Sequence, residues 1–239
     1  MLWIAGHSGP ETAEDSRTHF GIFAPGVTQL FPKGHIINLH PWEHNDVAPA
    51  LAAAFSTDVP IVALHLTRPA IEVPDRQKMG IASHFDASKG AYLIRDFDER
   101  PRDGVVIVRG TSSTNTVVSI LDDISSKYNV KIVSAISWEL FDMQDSEYKS
   151  SVIGDQEWAD SMVITNTGLN VMKNWISNRV VADYSLSPDW DNRWRTGGSL
   201  EQIIDEAHLS PRWVMKSIAK FATDRSKRLE RLKKEIPDK

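Results

Sequence analysis

The chain has no cysteine among its 239 residues. That excludes disulfides, thiolate nucleophiles and every cysteine-based zinc site. It also has no long apolar run, and the stretch 48–55 is far shorter than the ~20 residues a membrane-spanning helix needs. No membrane partner is therefore expected. There is no basic excess either: the formal net charge is −5, whereas nucleic-acid binding usually requires a clustered basic surface. The N-terminus, Met1 to His7, lacks the positive region and apolar stretch of a signal peptide. Internal repeats and low-complexity tracts are absent as well. A cytoplasmic globular protein is the expectation, and its hydrophobic fraction of 41% and charged fraction of 25% are ordinary for that class.

What is present alternates strand and helix signals. Residues 2–5, 35–39 and 59–66 read as strands. Between the last two, Val47, Ala50, Leu51, Ala54 and Phe55 recur at helical spacing, behind a cap at Asn45 or Asp46. Residues 71–89 mix Pro, Asp, Lys and Gly without a period and read as a linker. A second α/β unit follows, with strands over 105–108 and 130–136 and a helical stripe of Val117, Ile120, Leu121 and Ile124. Residues 162–165 and 180–182 are weaker strand candidates. Ser199 and Gln202 have capping-box spacing, and Ser210-Pro211 opens another helix. The tail 224–239 carries six Lys or Arg between Arg225 and Lys234 and reads as a solvated helix end.

Chemistry concentrates in His7-Ser8-Gly9-Pro10-Glu11-Thr12-Ala13-Glu14-Asp15-Ser16-Arg17-Thr18-His19, just after the first strand. Imidazoles donate or accept and carboxylates accept from hydroxyls, so such a set can grip a polyhydroxylated molecule. On spacing alone the reading as surface-loop histidines with satisfied partners is the stronger one. Arg68 ends the third strand and could grip a phosphate through two parallel charge-assisted bonds, or form a surface ion pair. His65, between Leu64 and Leu66, reads as a core or inter-strand histidine. His40, Glu43 and His44 have metal-ligand spacing, but Pro41 disfavours the helix that would align them, so no metal site is expected.

The string Ser137-Trp138-Glu139-Leu140-Phe141-Asp142, after a strand and before Gln144-Asp145 and Tyr148, closely resembles the C-terminal domain of transketolases. Lys89-Gly90-Ala91-Tyr92 resembles that domain's start, and Arg109-Gly110-Thr111-Ser112 its turn before a helix. The resemblance implies an α/β fold. Residues 1–70 would be the rear part of a pyrimidine-binding domain, 71–89 a linker, 90–223 a Rossmann-like C-terminal domain, and 224–239 a charged tail. The segment from His7 to His19 is similar to the family's H-D-S-x-G-x-G-E-D-G-P-T-H, without a gap. Here Ser8 stands for its Asp, Glu11 and Ala13 for glycines, and Ser16-Arg17 for Gly-Pro.

By that likeness His19 and Asp15 would act at the reacting carbonyl and the donor's C2 hydroxyl, while His7 and Arg68 would hold the substrate phosphate. The activity implied is transfer of a two-carbon ketol unit between sugar phosphates. Thiamine diphosphate and magnesium are implied for the complete enzyme, yet the chain has no G-D-G followed by an Asn pair, the family's diphosphate-metal motif. The activating glutamate would lie upstream of His7. The expected partners are therefore a sugar phosphate, an N-terminal transketolase region or subunit, and a second copy, and the chain alone is not expected to turn over. A non-catalytic binding or assembly module with the same fold is the alternative. A ketoacid-dehydrogenase relative would not be expected to carry the 137–142 string.

Overall fold

A computed structural model describes residues 1–14, 16–195 and 197–235. Two sheets organise them. In the first, β1 (Leu2–Ala5), β2 (Ile36–Leu39) and β3 (Ile61–His65) are all parallel, in the order β1–β3–β2. In the second, β4 (Ala91–Arg95), β5 (Gly104–Arg109), β6 (Val130–Ala135) and β7 (Ser161–Thr165) run in the order β4–β6–β5–β7. There β5 is parallel to β6 and β7, while β4 is antiparallel to β6. The mixed α/β architecture is the one expected.

The second sheet is buried on both faces, which is why its strands read as continuous apolar runs. Along β5 the side chains alternate. Val106 and Val108 join one core with Ile37, Leu39 and Leu64 of the first sheet and with Ile218 and Phe221 of the helix Pro211–Thr223. Val105 and Ile107 join another core with Phe141, Trp175 and Val163. A single apolar core thus crosses from one sheet to the other.

Local chemistry corrects several expected boundaries. The first crossover helix, His44–Phe55, starts earlier than its spacing suggested and is capped by Glu43, whose carboxylate accepts from Asn45 N at 2.7 Å. Asp46 instead accepts from Trp42 N and from the Tyr92 hydroxyl. The stripe around Ile120 is divided into the helices Thr111–Ser119 and Leu121–Lys127, because Ile120 leaves helical geometry. Residues 180–182 are not a strand. They lie in the helix Arg179–Tyr184, which begins where the Asn178 side chain accepts from Val181 N. Three apolar residues cannot distinguish the two periods, so the cap decides.

Residues 71–89 contain two short helical segments, Arg76–Met79 and His84–Lys89. They are pinned by Arg76, which is buried with ion pairs to Glu43 at 2.6 Å and Asp46 at 2.7 Å. Its guanidinium also lies over the rings of Trp42 and Tyr92. The tail helix Arg225–Glu235 is solvated only in part. Arg228 is fully buried, stacks on Phe221 and pairs with Asp160 at 2.8 Å. The expected tail residues 236–239 lie outside the described residues.

Candidate functional site

The C-terminal ends of β1 and β3 sit side by side and deliver His7 and Arg68 to one mouth. Leu66 N donates to Ala5 O and Ser8 N to Leu66 O, so the two strands stay in register as they leave the sheet. Segment 6–22 then folds back on itself. Gly21 N donates to Gly9 O at 3.1 Å, and a side chain at Gly21 would collide with the His7 carbonyl. This closure explains a glycine there. It brings the rings of His7 and His19 into a stack with centroids 4.7 Å apart and planes 16° apart.

Within the loop, the 3-10 turn Pro10–Glu14 presents Thr12, whose hydroxyl donates to Gly9 O at 3.2 Å and also to His19 O. Ser16 Oγ lies 3.3 Å from His19 Nδ1. Slight desolvation, then the positive charges of Arg68 and His19, hold the exposed His7 below its ordinary value. His7, His19 and Arg68 are thus brought together, at the strand ends where open α/β sheets receive ligands. Asp15 lies outside the described residues. At neutral pH an uncharged His7 would offer hydrogen bonds, and Arg68 a permanent cation, to an anionic polyol.

Sequence reasoning passed over Glu11 as a ligand of anything, yet it is the buried acid of this loop, 1% exposed. Burial pushes its carboxyl above the usual range, against hydrogen bonds that favour its charge. Asn166 Nδ2 donates to its Oε1 at 3.0 Å and Ser112 Oγ to its Oε2 at 3.1 Å. The signal available in sequence was an acid standing where the resembled pattern has glycine.

The remaining titratable candidates turn inward. His65 and His40 stack at 4.4 Å beneath the sheet, with His65 Nε2 3.3 Å from Asn38 Oδ1. Burial, with the nearby charge of Arg109, presses His65 down to about 3 and holds His40 well below its ordinary value. His65 is thus the core histidine expected. Glu43 is committed to its helix cap and to Arg76, away from any pairing with His40 and His44. Arg109 is buried and donates to Thr167 Oγ1 at 2.8 Å and Val171 O at 3.2 Å, with burial lowering it to about 9. Its neighbour Gly110, at φ 94°, makes the tight turn required because a side chain there would collide with the Asn166 amide.

Glu139 of the 137–142 string joins the two sheets. Its carboxylate accepts from Asn38 N at 3.2 Å and Asn38 Nδ2 at 3.1 Å. Beside it lies a cavity of about 390 Å³ lined by Phe31, Lys33, Asn38, Trp138 and Lys173. None of His7, His19 and Arg68 reaches it. Among the described residues, no three His, Asp or Glu side chains converge as a metal-binding set. Together with the missing G-D-G motif, this donor set does not fit a diphosphate-magnesium subsite.

Comparison with known proteins bears on both halves. Residues 90–182 match the family described as the transketolase-like C-terminal domain. The chloroplastic transketolase of Craterostigma plantagineum is 29% identical over 158 residues, which cover 64% of this chain and 28% of that enzyme. A Nostoc transketolase is 27% identical over 156 residues, covering 64% and 22%. Among solved structures, a Pichia stipitis transketolase in complex with sedoheptulose-7-phosphate aligns with a TM-score of 0.71 at 22% identity, over 93% of this chain and 30% of that one. The Leishmania mexicana transketolase aligns with a TM-score of 0.73 at 18% identity, over 94% and 30%. The chain therefore spans less than a third of the length of these relatives.

Proposed function

We propose, from the match of residues 90–182 to the transketolase-like C-terminal domain, that the chain supplies the substrate-side groups of a ketol transferase acting on sugar phosphates. One observation carries this reading: the stacked His7 and His19 beside Arg68, at the C-terminal ends of β1 and β3. In it, Arg68 and His7 bind the phosphate of the donor sugar. His19 orients the donor's C2 carbonyl, and Asp15 accepts from a sugar hydroxyl beside it. Thiamine diphosphate with magnesium would supply the electron sink for breaking the C2–C3 bond. The described residues of this chain do not fit that group, so a partner region carries it.

The β1 edge supports such a partner. Leu2, Trp3 and Ile4 are exposed along it, and an apolar strand edge favours pairing with further polypeptide. A transketolase N-terminal region or subunit is the occupant proposed, with a second copy completing a dimer. Among the described residues no helix is long and apolar enough to cross a membrane. A cytoplasmic setting belongs to this proposal, although several relatives are chloroplastic transketolases.

The test is Arg68→Ala in the chain complemented by a region bearing the diphosphate site. Loss of a charge-assisted phosphate contact, about 1.5–3 kcal/mol, should raise KM for a ketose phosphate roughly ten- to a hundred-fold. Hydroxypyruvate, which has no phosphate, should be nearly unaffected. Equal losses on both donors would give Arg68 a structural role. No transfer under any complementation would favour a non-catalytic module, a reading helped by the Glu11 and Ala13 replacements in the loop.

A further inference from the structure

We infer that Glu11 is a positioning residue that clamps the His7–His19 loop to the second sheet and sets the geometry of the proposed substrate mouth. The inference rests on that mouth being the site. Its anchors come from two separate strand ends. Ser112 lies in the first turn of the helix Thr111–Ser119 that follows β5, and Asn166 follows β7 directly. Each donates to one oxygen of the Glu11 carboxyl. The Asn166 backbone is held in turn, its N–H donating to Arg109 O at 3.3 Å.

Two glycines make room for this contact. A side chain at Gly9 would collide with the Glu11 carboxyl and the Asn166 amide, and one at Gly110 with the same amide. Both glycines have positive φ, at 102° and 94°, so the backbone bends around the clamp at two points far apart in sequence. A second tie, Gly168 N to Ile22 O at 2.8 Å, closes the far end of the loop on the same edge.

The route from the clamp to the mouth is short. Glu11 and Thr12 are consecutive in one 3-10 turn. Glu11 reaches out to the second sheet, while Thr12 reaches in to the carbonyls of Gly9 and His19. A displaced Glu11 therefore moves the backbone that carries His19, and with it the ring stacked on His7. A glycine at this position, as in the resembled pattern, would leave the Asn166 amide and the Ser112 hydroxyl without this acceptor. The substitution gives this chain a coupling between loop and second sheet that runs through one side chain.

The experiment compares Glu11→Ala, Glu11→Gln and Ser112→Ala in the full chain by NMR of the histidine side chains, with inorganic phosphate as the probe ligand. Glu11→Ala should shift the His7 and His19 resonances, leave half-buried His84 in place, and weaken phosphate binding roughly tenfold, as for one lost hydrogen bond. Glu11→Gln should restore both, because its amide can accept from Asn166 and donate to a rotated Ser112 hydroxyl. Ser112→Ala, milder because Glu11 keeps Asn166, should shift the same two resonances by less. If Glu11 merely fills space, Glu11→Ala lowers stability and leaves His7 and His19 unmoved, which overturns the inference. If Glu11→Ala does not fold, an unmoved pair in Ser112→Ala does the same. Absence of phosphate binding by the unaltered chain would count against the proposed function, while the resonance shifts would still decide the clamp.

Discussion

The two sheets solve opposite problems. The second encloses an aliphatic centre, with every residue of β5, β6 and β7 buried and apolar cores on both faces. The first buries polar groups, Asn38, His40 and His65, and exposes apolar ones, Leu2, Trp3 and Ile4 along β1. A sheet covered on both faces by its own chain draws stability from apolar burial and needs no further polypeptide. In the proposed reading, a sheet with a wet apolar edge and a polar interior receives its partner on that edge. The proposed site hangs from the open sheet, yet its loop is fastened to the closed one through Glu11.

The largest test of that contrast lies on the closed side. Arg228 is fully buried, donates to Asp160 Oδ1 at 2.9 Å and to Asp103 O at 2.8 Å, and stacks on Phe221. Arg228→Ala should cost about 3–5 kcal/mol, because it leaves the Asp160 carboxylate without its main buried partner. Urea unfolding measures this. A loss below ~1 kcal/mol would mean that the closed sheet does not depend on its helical cover.

Acid should open the first sheet before the second. His65 titrates near 3 in the fold against an ordinary value near 6.5. Between those values the unfolded chain takes up the proton and the folded chain does not. The contribution is present above about pH 6.5 and falls away as pH drops toward 3, amounting to about 3 kcal/mol by pH 4. His40 adds in the same direction. Melting temperature followed from pH 7 to 4 should show this fall, and His65→Gln should flatten it. An unchanged slope would place the acid sensitivity elsewhere.

The smallest effect on stability belongs to the exposed edge. Ile4→Thr keeps strand propensity, removes an aliphatic side chain that is 56% exposed, and should change unfolding free energy by no more than ~1 kcal/mol. Its effect should appear in sedimentation, as reduced self-association and weaker capture of a complementing N-terminal region. Unaltered association would move the partner surface away from β1.

Much of this molecule is legible in the residues alone. The strands of the first sheet and β5, β6 and β7 of the second are marked by apolar runs, and the family resemblance by 137–142 and by Lys89 to Tyr92, whereas β4, Ala91–Arg95, is not among the strands expected from sequence. Capping chemistry at Ser199 and at Ser210-Pro211 marks two late helices, both present in the fold. Where the local signal was short, as at 180–182, or divided by one residue, as at Ile120, the periods could not be separated. The convergence of His7, His19 and Arg68 was readable only through the resemblance, because strands pair across sequence separations that no local pattern records.

The sequence by itself determined what requires only neighbours along the chain: strand and helix periods, caps, a loop rich in titratable groups, and the absence of thiols. The tertiary structure alone decided the fate of each charged group. Arg228 belongs to a tail that reads as solvated in sequence and Arg76 to a stretch that reads as a linker, and both are buried ion-pair centres in the fold. Glu11 looks like one acid among several and becomes the tie between two sheets. The reason is physical. Burial and partner geometry set the free energy of a charge, and both are created by contacts between residues as far apart as Glu11 and Asn166.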